Sequence, residues 1–206
     1  MNKNIAIAIA LIVIFVAGIA GYFVTVGSQQ AAGPMGSSPA GAPLPAGPIA
    51  SEKMDFSLGD IDGNMRQLSE WQGKARLINF WATWCAPCRR EIPLLKKTQE
   101  DHASENVQVI GIAVDFLDEV RAYNEEAQFN YPILVGQEDA MAAAEASGVE
   151  FIGLPFTMIV APSGELLNTH IGEIVEEHIE KILSVFDRLD NGGLDIAAAR
   201  EALADL

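Results

Sequence analysis

The sequence predicts an α/β domain with a mixed central sheet that helices cover on both faces. Short apolar runs alternate with amphipathic segments from about residue 54 onward, and the last two runs flank a turn. The strongest run, VQVIGIAV (107–114), is almost wholly apolar or β-branched, as in a strand buried on both faces. Strands that alternate with helices and then end in a hairpin indicate both parallel and antiparallel neighbours.

The elements follow in order along the chain. Apolar runs bounded by turn residues predict strands at 54–58, 65–68, 75–82, 107–114, 132–135, 156–161 and 166–171. Helical periodicity predicts helices at 85–103, 117–129, 139–146, 175–189 and 195–206. Asp62-Gly63 and Pro162-Ser163-Gly164 supply the hairpin turns, and Asn191-Gly192-Gly193 ends the helix 175–189. Pro93 predicts a kink in the first helix.

The amino-terminal part has a different composition. Residues 5–26 carry no charge over a length that matches the hydrocarbon core of a bilayer, which predicts an uncleaved transmembrane anchor after a cytoplasmic stub of residues 1–4. A cleaved signal peptide ending at Gly18-Ile19-Ala20 is the alternative, but the apolar run continues beyond that site. Lys3 predicts that the amino end stays cytoplasmic. Residues 27–50 form a Pro/Gly/Ala-rich linker.

The predicted domain, residues 51–189 followed by an extension at 190–206, is strongly acidic. The chain has a net charge of −15, and all 28 Asp and Glu residues lie at or beyond Glu52. Such a surface repels phosphate backbones, so nucleic acids are not expected partners. At this size the domain needs no disulfide to stabilise its core, which favours a chemical role for its two cysteines.

Both cysteines lie in FWATWCAPCRRE (80–91), after a strand and at the start of a helix. A helix amino terminus stabilises a thiolate, so Cys85 is the predicted nucleophile, and Cys88 is placed to resolve a mixed disulfide. Pro87 fits the first turn of a helix, and Trp84 is expected on an exposed rim. A zinc site would need more ligands than the pair and three scattered histidines offer, and we expect those histidines at the surface with no catalytic role. A staple across two residues would add little stability.

Two segments resemble a known family. LSEWQGKARLINFWATWCAPCRREIPLL (68–95) and GLPFTMIV (153–160) are similar to the TlpA/ResA branch of membrane-anchored thioredoxin-like oxidoreductases, over about residues 52–188. The resemblance implies a thioredoxin-like fold with an inserted helix–strand unit and a redox-active Cys85–Cys88 disulfide. It also implies a cis peptide bond before Pro155, with Leu154 offering backbone groups to a substrate strand. Trp84 and Pro87 complete the expected substrate-binding surface.

One position departs from plain thioredoxin. Asn79 stands where thioredoxin has a buried aspartate beneath its cysteines, and an amide cannot act as the base. In the TlpA/ResA branch a glutamate just after the motif takes that place, and Glu91 matches it. Three residues beyond Cys88 on a helix, Glu91 is close enough to exchange a proton with that cysteine. A solvated helix residue is the alternative for Glu91.

The expected function is that of a thiol–disulfide oxidoreductase tethered to the inner membrane, with its catalytic domain outside the cytoplasm and no cofactor or metal. Ala86-Pro87 between the cysteines resembles reductant versions of the motif. The resemblance suggests protein disulfide substrates in apocytochrome c or copper-site proteins, and a membrane thiol-reductant conduit as electron donor. An oxidase or isomerase, and a metal-binding chaperone, remain alternatives. A peroxidase is disfavoured because no proline lies just upstream of Cys85.

Overall fold

The computed structural model of the protein describes residues 55–206. The predicted cytoplasmic stub, transmembrane anchor and linker lie outside these residues. Within 55–206, no helix combines the length and the apolar character needed to cross a bilayer.

The elements form one mixed sheet and two helical layers. The strands are Ser57–Asp60 (β1), Met65–Gln67 (β2), Ala75–Trp81 (β3), Val107–Val114 (β4), Ile133–Gly136 (β5), Phe156–Val160 (β6) and Leu166–Ile171 (β7). The α-helices are Ala86–His102 (α1), Leu117–Ala127 (α2), Glu138–Ala146 (α3), Glu176–Asp190 (α4) and Ile196–Ala202 (α5). Short 3₁₀ helices span Leu68–Trp71 and Ala103–Glu105. Two strands and two helices therefore separate α1 from β6.

The seven strands lie in the order β2-β1-β5-β4-β3-β6-β7. β3, β4 and β5 are parallel, whereas β6 runs antiparallel to β3 and pairs with β7 in a hairpin. Buried side chains of α1, α2, α4 and α5 pack on one face of the sheet, and those of α3 and the Leu68–Trp71 turn pack on the other. The predicted mixed sheet with helices on both faces is confirmed.

β3 is the central strand that positions the cysteines. All seven of its residues are buried, because β4 and β6 flank it and helices cover both of its faces. Leu77 and Trp81 belong to the α1 side of the core, whereas Ile78 and Phe80 belong to the α3 side. Side chains alternate along a strand, so Asn79 also faces α1.

A glycine in β4 makes room for the aromatic side chains on the α1 face. A Cβ at Gly111 would lie 2.6 Å from Ile133 Cδ1 and 3.2 Å from both Trp81 Nε1 and Tyr131 Cε2. Trp81 in turn packs against Phe129, with ring centroids 5.2 Å apart. A larger residue at this position would therefore force Ile133 and the two aromatic side chains to shift.

Several predicted boundaries were wrong. β1 starts at Ser57 and includes Gly59 and Asp60, which are poor strand formers, because β2 and β5 supply their backbone partners. β2 ends before Leu68, which begins a 3₁₀ turn. α2 ends at Ala127 rather than at 129, because Gln128 adopts a left-handed conformation with φ of 49°. The first helix begins at Ala86, with Cys85 as its N-cap, and continues through Pro93 to His102.

The carboxy-terminal segment packs against the sheet. α5 begins at the N-cap Asp195, whose carboxylate accepts the backbone N–H of Ala198, and its Ala199 is completely buried. Arg200 donates to the carbonyl of Leu166 at 3.0 Å, and the side chain of Asn168 donates to the carbonyl of Leu203. The segment predicted as an extension thus contributes to the same core as α4 and β7.

Candidate active site

The ends of four elements meet at one edge of the sheet. β3 and β4 are parallel, so their carboxyl ends lie together, and β6 starts at this edge because Phe156 pairs with Phe80. β7 ends here, since Ile171 pairs with Phe156. The segments that follow β3, β4 and β7 and the one that precedes β6 therefore surround the cysteine pair.

Cys85 and Cys88 form a disulfide at the start of α1. Cys85 is the N-cap of the helix, and its sulfur accepts the backbone N–H of Cys88 at 3.3 Å. Pro87 lies in the first turn, where the helix needs no donor from it. Cys85 is 5% exposed and Cys88 is fully buried. Cys85 is thus less accessible than the sequence predicts, although it is the more accessible of the two sulfurs.

Glu91 lies one turn further along α1 and is only 1% exposed, so the alternative of a solvated helix residue was wrong. Its Oε1 accepts the side-chain N–H of Asn79 at 2.8 Å, and its Oε2 accepts the backbone N–H of Ile174 at 2.7 Å. Asn79 also donates to Thr157 Oγ1 at 3.0 Å, and its own Oδ1 has no partner among the described residues. A strand, a helix and a loop are joined at this carboxylate.

Burial raises the pKa of Glu91 from 4.5 to about 7. The hydrogen bonds from Ile174 and Asn79 oppose this rise because they stabilise the charged form, and the nearby charge of Glu173 adds to it. Tyr131, buried nearby, has a pKa well above its ordinary value because of burial, with a smaller contribution from Glu91. The carboxyl group of Glu91 is therefore poised to gain or lose a proton near neutral pH.

Asp115, at the end of β4, holds the segment that leads into the cysteine motif. Its Oδ2 accepts both the backbone N–H and the hydroxyl of Thr83, at 2.9 and 2.6 Å. Its Oδ1 accepts the N–H of Phe116 at 2.8 Å. Trp84 and Phe116, which follow Thr83 and Asp115 in the sequence, are both largely exposed, Trp84 at 69% as predicted. The sequence analysis missed Asp115 and Thr83; an aspartate directly after the strongest strand was the available signal.

Leu154 and Pro155 lie on the other side of the cysteine motif. The peptide bond between them is cis, in agreement with the resemblance. The carbonyl of Pro155 accepts the N–H of Gly172, the first residue after β7, at 2.9 Å. Leu154 packs against the same core cluster that contains both cysteines. The predicted substrate-binding residues Trp84, Pro87, Leu154 and Pro155 thus lie at one edge of the sheet.

The prediction of three surface histidines was wrong for His170, which is 7% exposed. Its ring centroid lies 4.3 Å from that of His178, with the two rings tilted by 53°, and its Nε2 lies 3.3 Å from the carbonyl oxygen of Glu173. β7 does not alternate strictly between buried and exposed residues, so its sequence pattern did not predict the burial of His170. Within residues 55–206, no three His, Cys, Asp or Glu side chains are grouped as a metal site would require.

The sequence of residues 49–168 matches the family described as AhpC/TSA. The chain belongs to the AhpC/TSA family. The thioredoxin-like protein YneN of Bacillus subtilis is 31% identical over 137 residues, which cover 64% of this chain and 76% of the relative. The thiol-disulfide oxidoreductase ResA of Geobacillus kaustophilus is 29% identical over 136 residues, which cover 66% of this chain and 76% of the relative.

A crystal structure of a thioredoxin-family thiol:disulfide interchange protein from Chlorobium tepidum is similar to this AhpC/TSA family member. The similarity has a TM-score of 0.57 at 28% identity and covers 63% of this chain and 91% of the other. The thioredoxin-like fold is thereby confirmed, as is the resemblance to the ResA group. Together with the cysteine pair at a helix amino terminus, this identifies the protein as a thiol–disulfide oxidoreductase.

Proposed function

We propose that the protein is a membrane-tethered, extracytoplasmic reductase of protein disulfides. The observation that most strongly supports the disulfide chemistry is the position of Cys85 as the N-cap of α1, where its sulfur accepts the N–H of Cys88. The uncharged apolar segment 5–26 supports the tether. In the reduced protein the same N–H and the helix dipole stabilise a thiolate on Cys85. Cys85 is therefore the attacking residue, and the buried Cys88 resolves the intermediate.

The reaction transfers two electrons from the enzyme dithiol to the substrate disulfide. The Cys85 thiolate attacks one substrate sulfur, the substrate S–S bond breaks, and the first substrate thiolate leaves and takes a proton from solvent. Cys88 then loses its proton, and its thiolate attacks the Cys85 sulfur of the mixed disulfide. The Cys85–Cys88 bond forms as the second substrate thiolate leaves. The enzyme ends oxidised and the substrate reduced.

Glu91 accepts the proton of Cys88 in this scheme. It follows Cys88 by three residues on α1, so the two side chains lie on the same face of the helix. A pKa of about 7 lets the carboxylate take up a proton at neutral pH and release it afterwards. Asn79, which makes a hydrogen bond to Glu91, cannot do this itself because an amide does not titrate.

The motif residues favour reduction over oxidation. Ala86 and Pro87 between the cysteines include no histidine that would further stabilise the reduced form. An ionised Glu91 beneath the pair would also oppose a second negative charge on Cys88. Substrates in this proposal are proteins such as apocytochromes c, at their haem-attachment cysteines, or copper-site proteins, and a membrane thiol-reductant conduit returns the enzyme to its reduced form.

The reduction potential of the purified full-length chain tests the direction of transfer. The potential is obtained by equilibrating the protein with glutathione or dithiothreitol buffers and measuring the fluorescence of its three tryptophans, of which Trp84 is next to Cys85 in the sequence. We expect about −270 mV or lower, as for a reductant, whereas about −120 mV would mark an oxidant and contradict the proposal. A variant with both cysteines changed to serine should show no transition. Metal content in the same sample would favour the chaperone alternative.

The tether is tested separately. A reporter phosphatase that is active only outside the cytoplasm, fused after residue 50, should be active and should remain with the membrane fraction. A reporter that is active but found in the soluble fraction would indicate a cleaved signal peptide. A reporter that is inactive would contradict the proposed orientation. A Lys3→Glu variant of the fusion is the matched control, because the orientation should weaken without the amino-terminal positive charge.

A further inference from the structure

In the loop between β7 and α4, residues 172–175, three consecutive residues contact the active site or the helix that carries the cysteines. Gly172 donates its backbone N–H to the carbonyl of Pro155 at 2.9 Å. Ile174 donates its N–H to Glu91 at 2.7 Å. The sequence does not identify these two contacts, because backbone N–H groups make them.

Glu173 fixes this loop to the helix that carries the cysteines. Its carboxylate receives Nε of Arg90 at 3.2 and 3.0 Å, together with Nη2 of the same side chain. Arg90 and Glu91 are neighbours on α1, and they hold the neighbouring loop residues Glu173 and Ile174. A forked guanidinium–carboxylate pair defines geometry better than a single contact does. The side chains of Arg90 and Glu173 are 60% and 31% exposed, so the ion pair adds to the backbone contacts that hold the Ile174 N–H near Glu91.

Two histidines hold the other side of the loop. The Nε2 atom of His170 lies 3.3 Å from the carbonyl oxygen of Glu173. The backbone N–H of Val175 donates to Nδ1 of His178, also at 3.3 Å. The first bond needs a proton on Nε2 of His170, and the second needs a free lone pair on Nδ1 of His178. Burial and the neighbouring His170 lower the pKa of His178, so the accepting, neutral form is favoured.

We propose that Glu173 and Arg90 are positioning residues for Glu91: their ion pair holds the Ile174 N–H against the Glu91 carboxylate and thereby sets the proton affinity of that carboxylate. The inference rests on the proposed role of Glu91 as the acceptor of the Cys88 proton. Without the ion pair the loop holds the Ile174 N–H less closely to the carboxylate, which then depends more on the donor from Asn79, and the protonated form of Glu91 is favoured. The two residues thus control how readily Cys88 becomes a thiolate.

Titratable groups from two neighbouring segments interact with Glu91. Glu173 faces it from the loop and Tyr131 from the segment before β5; the charge of Glu173 raises the pKa of Glu91. Cys88 on its own helix does not titrate while the disulfide is intact. Removing Glu173 would combine two opposing effects, loss of a like charge and loss of the loop anchor. Arg90→Gln is therefore the cleaner variant, because it releases the loop and leaves Glu173 charged.

The test is the pKa of Glu91 in the oxidised full-length chain, followed by carboxyl ¹³C NMR, together with the pH dependence of the Ile174 amide shift. In the wild type the Ile174 amide should titrate with Glu91. Arg90→Gln should raise the pKa of Glu91 by about one pH unit, the effect of losing one hydrogen bond to a charged group, and should uncouple Ile174 from it. The pKa of Glu91 in Arg90→Lys should lie between its values in the wild type and in Arg90→Gln.

Arg89→Gln is the matched control. Arg89 precedes Arg90 on α1, is exposed, and makes no ion pair with any residue of 55–206, so its loss removes the same charge without releasing the loop. An unchanged pKa of Glu91 in Arg90→Gln, or an equal rise in Arg89→Gln, would overturn the inference. Because the oxidised chain is used, these results are independent of whether the protein acts as a reductase. A normal rate of mixed-disulfide resolution in Glu91→Gln would instead contradict the proposed role of Glu91 as the acceptor of the Cys88 proton, whatever the outcome for Arg90.

Discussion

The side-chain amide of Asn79 donates to the carboxylate of Glu91 across 2.8 Å, and this bond joins the central strand to the helix that carries both cysteines. The strand position beneath the cysteines thus supplies a donor, while the helix supplies the titrating group. A neutral residue at that strand position is therefore compatible with the proposed transfer of the Cys88 proton to Glu91.

Glu91→Gln should slow resolution of the mixed disulfide and simplify the thiol titration of the reduced protein. A carboxyl group near a thiol couples to its titration, so the two share macroscopic pKa values, and the nearly isosteric amide removes that coupling. Stopped-flow kinetics and the pH dependence of alkylation measure the two effects. Glu100→Gln, an exposed glutamate on the same helix, is the control. A variant that matched the wild type in both would leave the relay to water.

The same variant should change how stability depends on pH. The folded pKa of about 7 lies above the ordinary 4.5, so Glu91 favours the folded state fully below about pH 4.5, and this contribution is lost as the pH rises through 7. The difference corresponds to about 3 kcal/mol. Urea unfolding of oxidised protein at pH 4.5 and 8 should show wild type losing stability relative to Glu91→Gln. Parallel pH curves would contradict the buried, titrating carboxyl.

Asn79→Ala should lower the free energy of unfolding by about 1–3 kcal/mol, because it leaves buried partners without their donor. Asn79 binds both Glu91 and Thr157, so the loss is felt on α1 and on β6. The free energy of unfolding, measured by urea unfolding, should fall by a larger amount than the rate of insulin reduction, expressed as an activation free energy. Asn130→Ala, an exposed asparagine that donates to a helix carbonyl, should change little. A large loss of rate with normal stability would assign Asn79 a direct chemical role.

Cys88→Ser should accumulate a mixed disulfide with substrate, and Cys85→Ser should accumulate none. Cys85 has the accessible sulfur at the helix start, whereas Cys88 is fully buried behind it. Non-reducing electrophoresis and mass spectrometry of captured complexes measure the outcome. Capture through Cys88 in the Cys85→Ser protein would reverse the assignment of the two cysteines.

A chain that begins at Ser51 should fold and reduce a model disulfide such as that of insulin. Every element of the sheet and every site contact described above lies within residues 55–206. Circular dichroism and the insulin turbidity assay measure fold and activity, with the full-length chain in detergent as the comparison. An insoluble or inactive shortened chain beside an active full-length chain would show that the amino-terminal segment does more than tether.

The sequence predicted the central elements well because their signals are local. β3 and β4 are long apolar runs, and the cysteine motif marks the start of α1. The end of α2 was missed because Gln128 provides the left-handed residue that glycine usually provides. The buried Glu91 could be identified only through the family resemblance, since a glutamate on a helix is usually solvated. Ile174 could not be identified at all, because its contribution is a backbone N–H placed by tertiary structure.

The contacts between the carboxy-terminal segment and β7 determine how far the protein can be truncated at its carboxy terminus. β7 is an outermost strand, and an outermost strand can recruit another chain through its unpaired backbone groups. Arg200 binds the carbonyl at the start of β7 and Asn168 binds the carbonyl of Leu203, so the last residues shield part of this border. A chain truncated after residue 189 would expose the edge of β7 together with the apolar surface that Ala199 and Leu203 cover. Such a chain would be prone to self-association, and preparations intended to stay monomeric should retain the carboxy terminus.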